Sequence, residues 1–136
     1  MSEFGDILAR IDVDVAAATT GYTTQVGFTP LSALTDAHLP LAMTFNPSEE
    51  TTLLEHNQGE RTISGIVWLL RPKDEPGATT NAVLLRTDID LVRNGIEADD
   101  DLNGLVDEVA VTSRAIDEAS SQFLVAVLLF EALEVA

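Results

Sequence analysis

The sequence predicts an α+β domain, a largely antiparallel or mixed sheet of four to five strands with two helices packed on it. Three observations point there. Two segments repeat their apolar residues at helical spacing, and several others alternate or run apolar as strands do. Their order, helix, two or three strands, helix, two strands, is that of helices covering a sheet. With 136 residues, 46% of them hydrophobic, a single domain spanning residues 1–136 can bury a core of its own. No internal repeat or low-complexity tract interrupts it.

From Phe4 to about Ala18, residues Phe4, Ile7, Leu8, Ile11 and Val15 share one helical face and Asp6, Arg10, Asp12 and Asp14 mostly the other. Thr19, Thr20 and Gly21 end this helix. Tyr22 to Pro40, with Pro30, the polar patch Asp36, Ala37, His38 and then Pro40, reads as irregular chain. Leu41, Met43 and Phe45 alternate with Ala42 and Thr44, a short strand stopped by Asn46 and Pro47; Thr51 to His56 is a candidate second strand. A turn at Asn57 to Glu60 leads into Thr62 to Leu70, apolar on both faces and therefore central in its sheet.

Pro72, Pro76 and the charges around them make Arg71 to Gly77 an exposed loop. Thr79 or Thr80 caps the second helix, where Leu85, Ile89, Val92 and Ile96 form an apolar stripe; Asn94 and Gly95 give one stop signal, and the stripe gives a later end, at Ala98. After the acidic turn Asp99 to Gly104, Val109 and Val111 begin a strand. A polar connection over Ser113 to Ser121 follows, and the β-branched and aromatic residues of Gln122 to Leu133 favour a long closing strand over a helix, which Ala126, Leu128, Leu129 and Leu133 leave open.

Charge narrows the function classes. There are 23 acidic residues against 7 basic ones, a net charge of −16. Such a chain repels phosphate, which disfavours sequence-independent nucleic-acid binding and contact with anionic membranes. Abundant acid with a single lysine, Lys73, is also the composition of proteins working in concentrated salt, where screening relieves self-repulsion. Cysteine is absent, which removes disulfides, thiolate metal sites and a cysteine nucleophile. The N-terminus carries acids where a signal peptide has positive charge, and the longest apolar run, Phe123 to Phe130, falls short of the ~20 residues of a membrane span. A soluble protein made in the cytoplasm is expected.

Catalytic patterns are missing: there is no phosphate-binding glycine loop, no nucleophile elbow and no Ser-His-Asp grouping. Asp99, Asp101 and Asn103, with Gly104 at the turn and Val106 behind it, match the first half of a calcium loop. The twelfth position is Ala110, where a bidentate glutamate is required, so a self-bonded turn is the favoured reading. His38 and His56 lack metal-ligand spacing and read as loop or surface residues. Trp68, inside an apolar strand, reads as core or subunit interface. No enzyme activity and no cofactor are expected.

The run from Leu91 through Asp107, LVRNGIEADDDLNGLVD, resembles the tail terminator proteins of long-tailed double-stranded-DNA viruses. In that family an amphipathic helix enters an acidic turn of the form Asp-x-x-Leu-Gly-Gly-x-Val, followed by two closing strands with a polar connection between them. Asp99, Leu102, Gly104 and Val106 take those places, and Asn103 stands where a first glycine often does, a substitution that a left-handed turn tolerates. The N-terminal helix and the lead-in Leu39-Pro40-Leu41-Ala42 also match.

The resemblance implies a ring-forming subunit, usually a hexamer, that caps the tail tube at the head–tail junction of the virion after assembly in the host cytoplasm. Its partners would be copies of itself, the tail tube protein and the head–tail connector or neck protein, with DNA crossing the lumen without specific binding. Arg71, Pro72, Lys73 and Asp74 in one loop, and Asn46, Glu49 and Glu50 in another, are the interface candidates. A head-completion or other ring-forming virion protein is the first alternative. A small acidic ligand-binding domain is the second, and it calls for a deep apolar cavity beside His38 and Trp68. The ring instead calls for apolar residues beyond what one core hides, in Phe123 to Phe130 or the first helix.

Overall fold

The computed structural model describes residues 4–19, 21–53, 59–117 and 123–135. Helix α1 (Phe4–Ala18) is followed by strands β1 (Thr23–Val26), β2 (Leu41–Leu53) and β3 (Gly59–Pro72). Helix α2 (Thr80–Ala98) and strands β4 (Glu108–Asp117) and β5 (Phe123–Val135) complete an α+β fold. The sheet order is β1-β2-β3-β5-β4. Only the β1–β2 pair is parallel; β2–β3, β3–β5 and β5–β4 are antiparallel.

Both helices lie on one face of this sheet, α1 against β1 and β2 and α2 against β3, β4 and β5. The apolar stripes explain why. Ile7, Leu8, Ile11 and Val15 of α1 and Leu85, Ile89, Val92 and Ile96 of α2 are buried together with Ile63, Val67 and Leu69 of β3 and Ala126, Leu128 and Phe130 of β5. Residues of opposite parity fill a second, smaller cluster on the other face. There Leu41, Met43, Leu70, Phe123 and Val125 are covered by Leu34, held by the short turns Leu31–Ala33 and Asp36–His38. A strand with two covered faces reads apolar throughout, and β3 is indeed the third of five strands.

Several boundaries differ from those the sequence predicts. Tyr22 to Pro40 is not wholly irregular: β1 runs through it, drawn in by pairing Thr23–Val26 with Leu41–Thr44, a tertiary contact with no periodicity of its own. Asn46 and Pro47 do not stop β2. Asn46 takes a left-handed φ of 58°, the register slips between Phe45 and Ser48, and pairing resumes, a bulge that lets proline stay within a strand. Thr51 to Leu53 therefore belongs to β2 rather than to a second strand, while His56 lies outside the described residues. Arg71 and Pro72 are the last residues of β3, paired with Leu124 and Phe123, so the loop begins at Lys73. β4 bulges between Val111 and Ser113 and continues to Asp117, into what reads as a polar connection; residues 118–122 are outside the described residues.

The start of α2 also departs from expectation. Thr79 is the N-cap residue but its hydroxyl makes no capping bond. Asp74 does that work from the preceding loop, accepting from the backbone amides of Asn81 at 2.7 Å and Ala82 at 3.0 Å. A carboxylate on free amides at a helix N-terminus satisfies both the donors and the dipole.

Candidate functional site

Among the described residues, three clusters of three or more side chains join elements through charge. At the first, Arg71 at the end of β3 donates from Nε to Asp88 Oδ2 on α2 at 2.9 Å, and the hydroxyl of Tyr22 donates to the same oxygen at 2.6 Å. The guanidinium lies 5.1 Å from the centre of the Tyr22 ring. Burial and the bond to Asp88 push the Tyr22 hydroxyl well above its usual pKa, so it remains a donor. Arg71 is thus a half-buried clamp between sheet, α2 and the segment after α1, and not the loop residue that its place beside Pro72 implies.

The second cluster ties the helices together. Arg10 Nε donates to Asp99 Oδ2 at 2.6 Å, and Arg10 Nη2 lies 3.8 Å from Asp14 Oδ1. Gly95 permits the close approach: a Cβ there would sit 3.1 Å from the Ala18 Cβ. Burial, then the hydrogen bond and charge of Asp99, push the Asp14 carboxyl up to about 7. Partial burial works against Asp99 as well, yet the bonds from Arg10 and Asp14 hold it below the usual carboxylate range.

These shifts have opposite signs in stability. The contribution of Asp14 is fully present below its unfolded value near pH 4 and is lost as the pH rises towards 7; that of Asp99 is present above pH 4 and is lost on acidification. Asp14→Asn cannot ionise, so it should gain stability over the parent between pH 4 and 7. We expect about 1–2 kcal/mol, a shift of that size reduced by solvent screening. Thermal melts of both proteins across this range check it; parallel curves would mean that Asp14 is charged in the fold.

Asp99 is therefore committed to Arg10 and, through Oδ1, to the backbone amide of Asn103 at 3.1 Å. Asp101 accepts with its backbone carbonyl from the amides of Gly104 and Val106. Leu102, Asn103 and Gly104 follow one another at φ of 47°, 58° and 88°, a left-handed run that tucks Leu102 into the core. The calcium candidates Asp99, Asp101 and Asn103 form a self-bonded turn, and no group of three or more His, Asp or Glu suited to a metal ion occurs among the described residues.

In the third cluster, buried Arg61 pairs with Glu49 and Glu134 and lies over the Phe4 ring at 5.5 Å. Glu49 is thereby partly absorbed into the fold. Glu50 and Lys73 are exposed, Asp74 caps α2 and Asn46 shapes the β2 bulge. The interface candidates do not converge on one patch by side-chain contact.

An uncharged surface lies elsewhere. Gln25 Nε2 bonds the Gly27 carbonyl and the Thr29 hydroxyl, which arches the chain after β1 and sends Phe28 outward. Phe28, Phe45 and Trp68 form a three-ring cluster with centroids 5.1 to 5.5 Å apart, and Phe28 is still 53% exposed. Beside it an open groove of about 400 Å³ is lined by Leu8, Val26, Gly27, Phe28, Phe45, Asn46 and Pro47. Sequence reasoning missed it because Val26 and Phe28 sit in the segment read as irregular.

His38 stands at the rim of a different hollow, of about 270 Å³, and its Nδ1 accepts from the Thr35 amide at 3.0 Å. Trp68 does not line this hollow, so the two residues do not enclose one cavity. Phe123, Val125, Ala126, Leu128 and Phe130 are buried within the chain, whereas Leu129 of the same run and Val13 of α1 are exposed. No helix among the described residues is long and apolar enough to cross a membrane.

Compared with protein-family models the chain matches none, and it matches no curated protein.

Proposed function

We propose that the chain is a ring-forming structural subunit, a tail terminator that caps the tail tube of a long-tailed double-stranded-DNA virus. In that role it ends tube polymerisation and offers the head–tail connector a docking surface. The observation that carries the reading is the passage from α2 through the acidic turn into the β4–β5 hairpin. Asp99, Leu102, Gly104 and Val106 hold the motif positions there, with Leu102 and Val106 buried and Asn103 and Gly104 left-handed. Buried positions suit leucine and valine, and left-handed ones suit glycine and asparagine.

The surface supports the same reading. Open-ended head-to-tail polymers stop when a subunit matches the last ring on one face only, and such a subunit needs apolar contacts in more than one place. Val26 and Phe28 near the β1 edge and Val83, Leu84 and Leu91 on α2 are exposed on an acidic chain that otherwise favours water. The acids suit a lumen through which DNA slides without sticking. The charged side chains described above are spent on joining elements.

The test is to add the purified protein to tail tube subunits during polymerisation and to image the products by electron microscopy. Tubes should stop at a shorter length and carry an extra ring at one end. Unchanged tube growth with no bound ring would sink the terminator reading. Binding to the connector alone would favour the head-completion alternative.

A further inference from the structure

The outward side of α2 is unlike the rest of this chain. Thr80, Val83, Leu84, Thr87, Leu91 and Asn94 are all exposed, and none is charged, in a protein of net charge −16. Their spacing lines them along one side of the helix for ~21 Å. The charged residues of α2 lie to either side of this stripe: Asp88 turns to Arg71 and Tyr22, and on the flank towards β4 Arg114 pairs with Asp90 at 2.9 Å and the Val111 amide donates to Glu97 at 3.1 Å. Val83, Leu84 and Leu91 are 54%, 41% and 46% exposed, so the stripe is an apolar ridge. The groove at the β1 edge is its counterpart, with seven lining residues and no charge among them.

We propose that these are the two halves of one contact, in which the α2 ridge of one copy seats in the Phe28 groove of the next. Charge argues for a second copy meeting here. Two chains of −16 repel over most of their surfaces, and close approach costs least where neither presents an acid. Shape argues for unlike halves, because a ridge fits a groove whereas a groove cannot fill a groove; the contact is head-to-tail and not two-fold symmetric. Position leaves room for a neighbour on each side: α2 packs over β3, β4 and β5, while the groove lies at the β1 edge, the other end of the sheet order. The inference deepens the ring reading and rests on it, since head-to-tail contacts are what close a ring.

The experiment uses two variants, Leu84→Glu/Leu91→Glu and Phe28→Glu, weighed by light scattering after size exclusion in multimolar salt. The parent should run at a ring-sized mass and each variant as a folded monomer. Their equimolar mixture should give a dimer and nothing larger, because each keeps one intact half. A parent that is monomeric throughout, a variant that assembles as the parent does, or a mixture that stays monomeric overturns the proposal. So does a parent dimer lost in Leu84→Glu/Leu91→Glu and kept in Phe28→Glu, the mark of α2 pairing with its own copy.

The absence of cysteine gives a second readout that does not depend on destabilising substitutions. Leu91→Cys mixed with Phe28→Cys should oxidise to a covalent dimer far faster than either alone; equal rates overturn the proposal. A ring built through these surfaces that ignores tail tube would end the terminator reading and leave this contact standing. A ring that caps tube but is unaffected by all these substitutions would do the reverse.

Discussion

Gly65→Val should destabilise the fold by about 3 kcal/mol, read as a lower urea midpoint at unchanged slope. Gly65 sits in the middle of β3, directly opposite Phe130 of β5. A Cβ at Gly65 would fall 2.4 Å from Phe130 Cζ and 2.7 Å from Cε1, so the aromatic ring occupies the space that any other residue would fill. A ring at the surface would swing aside, but this one is 1% exposed and packed among the side chains beneath the helices. Both strands are interior to the sheet, so neither can move away without breaking its other ladder. Gly65→Val/Phe130→Leu should recover part of the loss, because the shorter side chain vacates some of the shared space. A Gly65→Val protein as stable as the parent would mean that the core is looser than this packing.

Arg71→Met should cost about 3 kcal/mol, because it keeps only the apolar stem of the side chain and strands Asp88. Asp88 is 8% exposed and accepts from both Arg71 and Tyr22 at one carboxylate oxygen. Without the guanidinium the charge stays buried with one neutral donor, and the cation over the Tyr22 ring is lost as well. The loss should shrink in Arg71→Met/Asp88→Asn, since the second change removes the stranded charge. Equal destabilisation in single and double variants would mean that Arg71 acts through packing alone. The double-mutant cycle, followed by chemical denaturation, separates the two.

Much of this fold was legible in the sequence because it is written in periodicity. The helices at Phe4–Ala18 and Thr80–Ala98 carry unbroken apolar stripes, and burying such a stripe leaves little choice of element or of face. β3 was legible as a central strand because both of its faces are apolar, and β5 because a run of β-branched and aromatic residues meets no turn signal. Strong acidity, the missing thiols and the self-bonded nature of the Asp99 to Gly104 turn also follow from residue types alone.

Tertiary structure decided what periodicity does not encode. β1 exists because β2 offers it a parallel partner, and four residues are too few to announce a strand. The bulge at Asn46 and Pro47 is tolerated because strands on either side of the slip hold the register, which a local reading of Asn-Pro cannot know. Asp74 caps α2 in place of Thr79, and Arg71 meets Tyr22 and Asp88, through contacts that join residues up to 66 apart in the chain. For the same reason the interface candidates Arg71 and Glu49 turned out to be engaged within the fold. The uncharged groove around Phe28 appeared only once α1, β1 and β2 were brought together: the sequence by itself determined which faces had to be buried, and three-dimensional packing decided which apolar groups were left over.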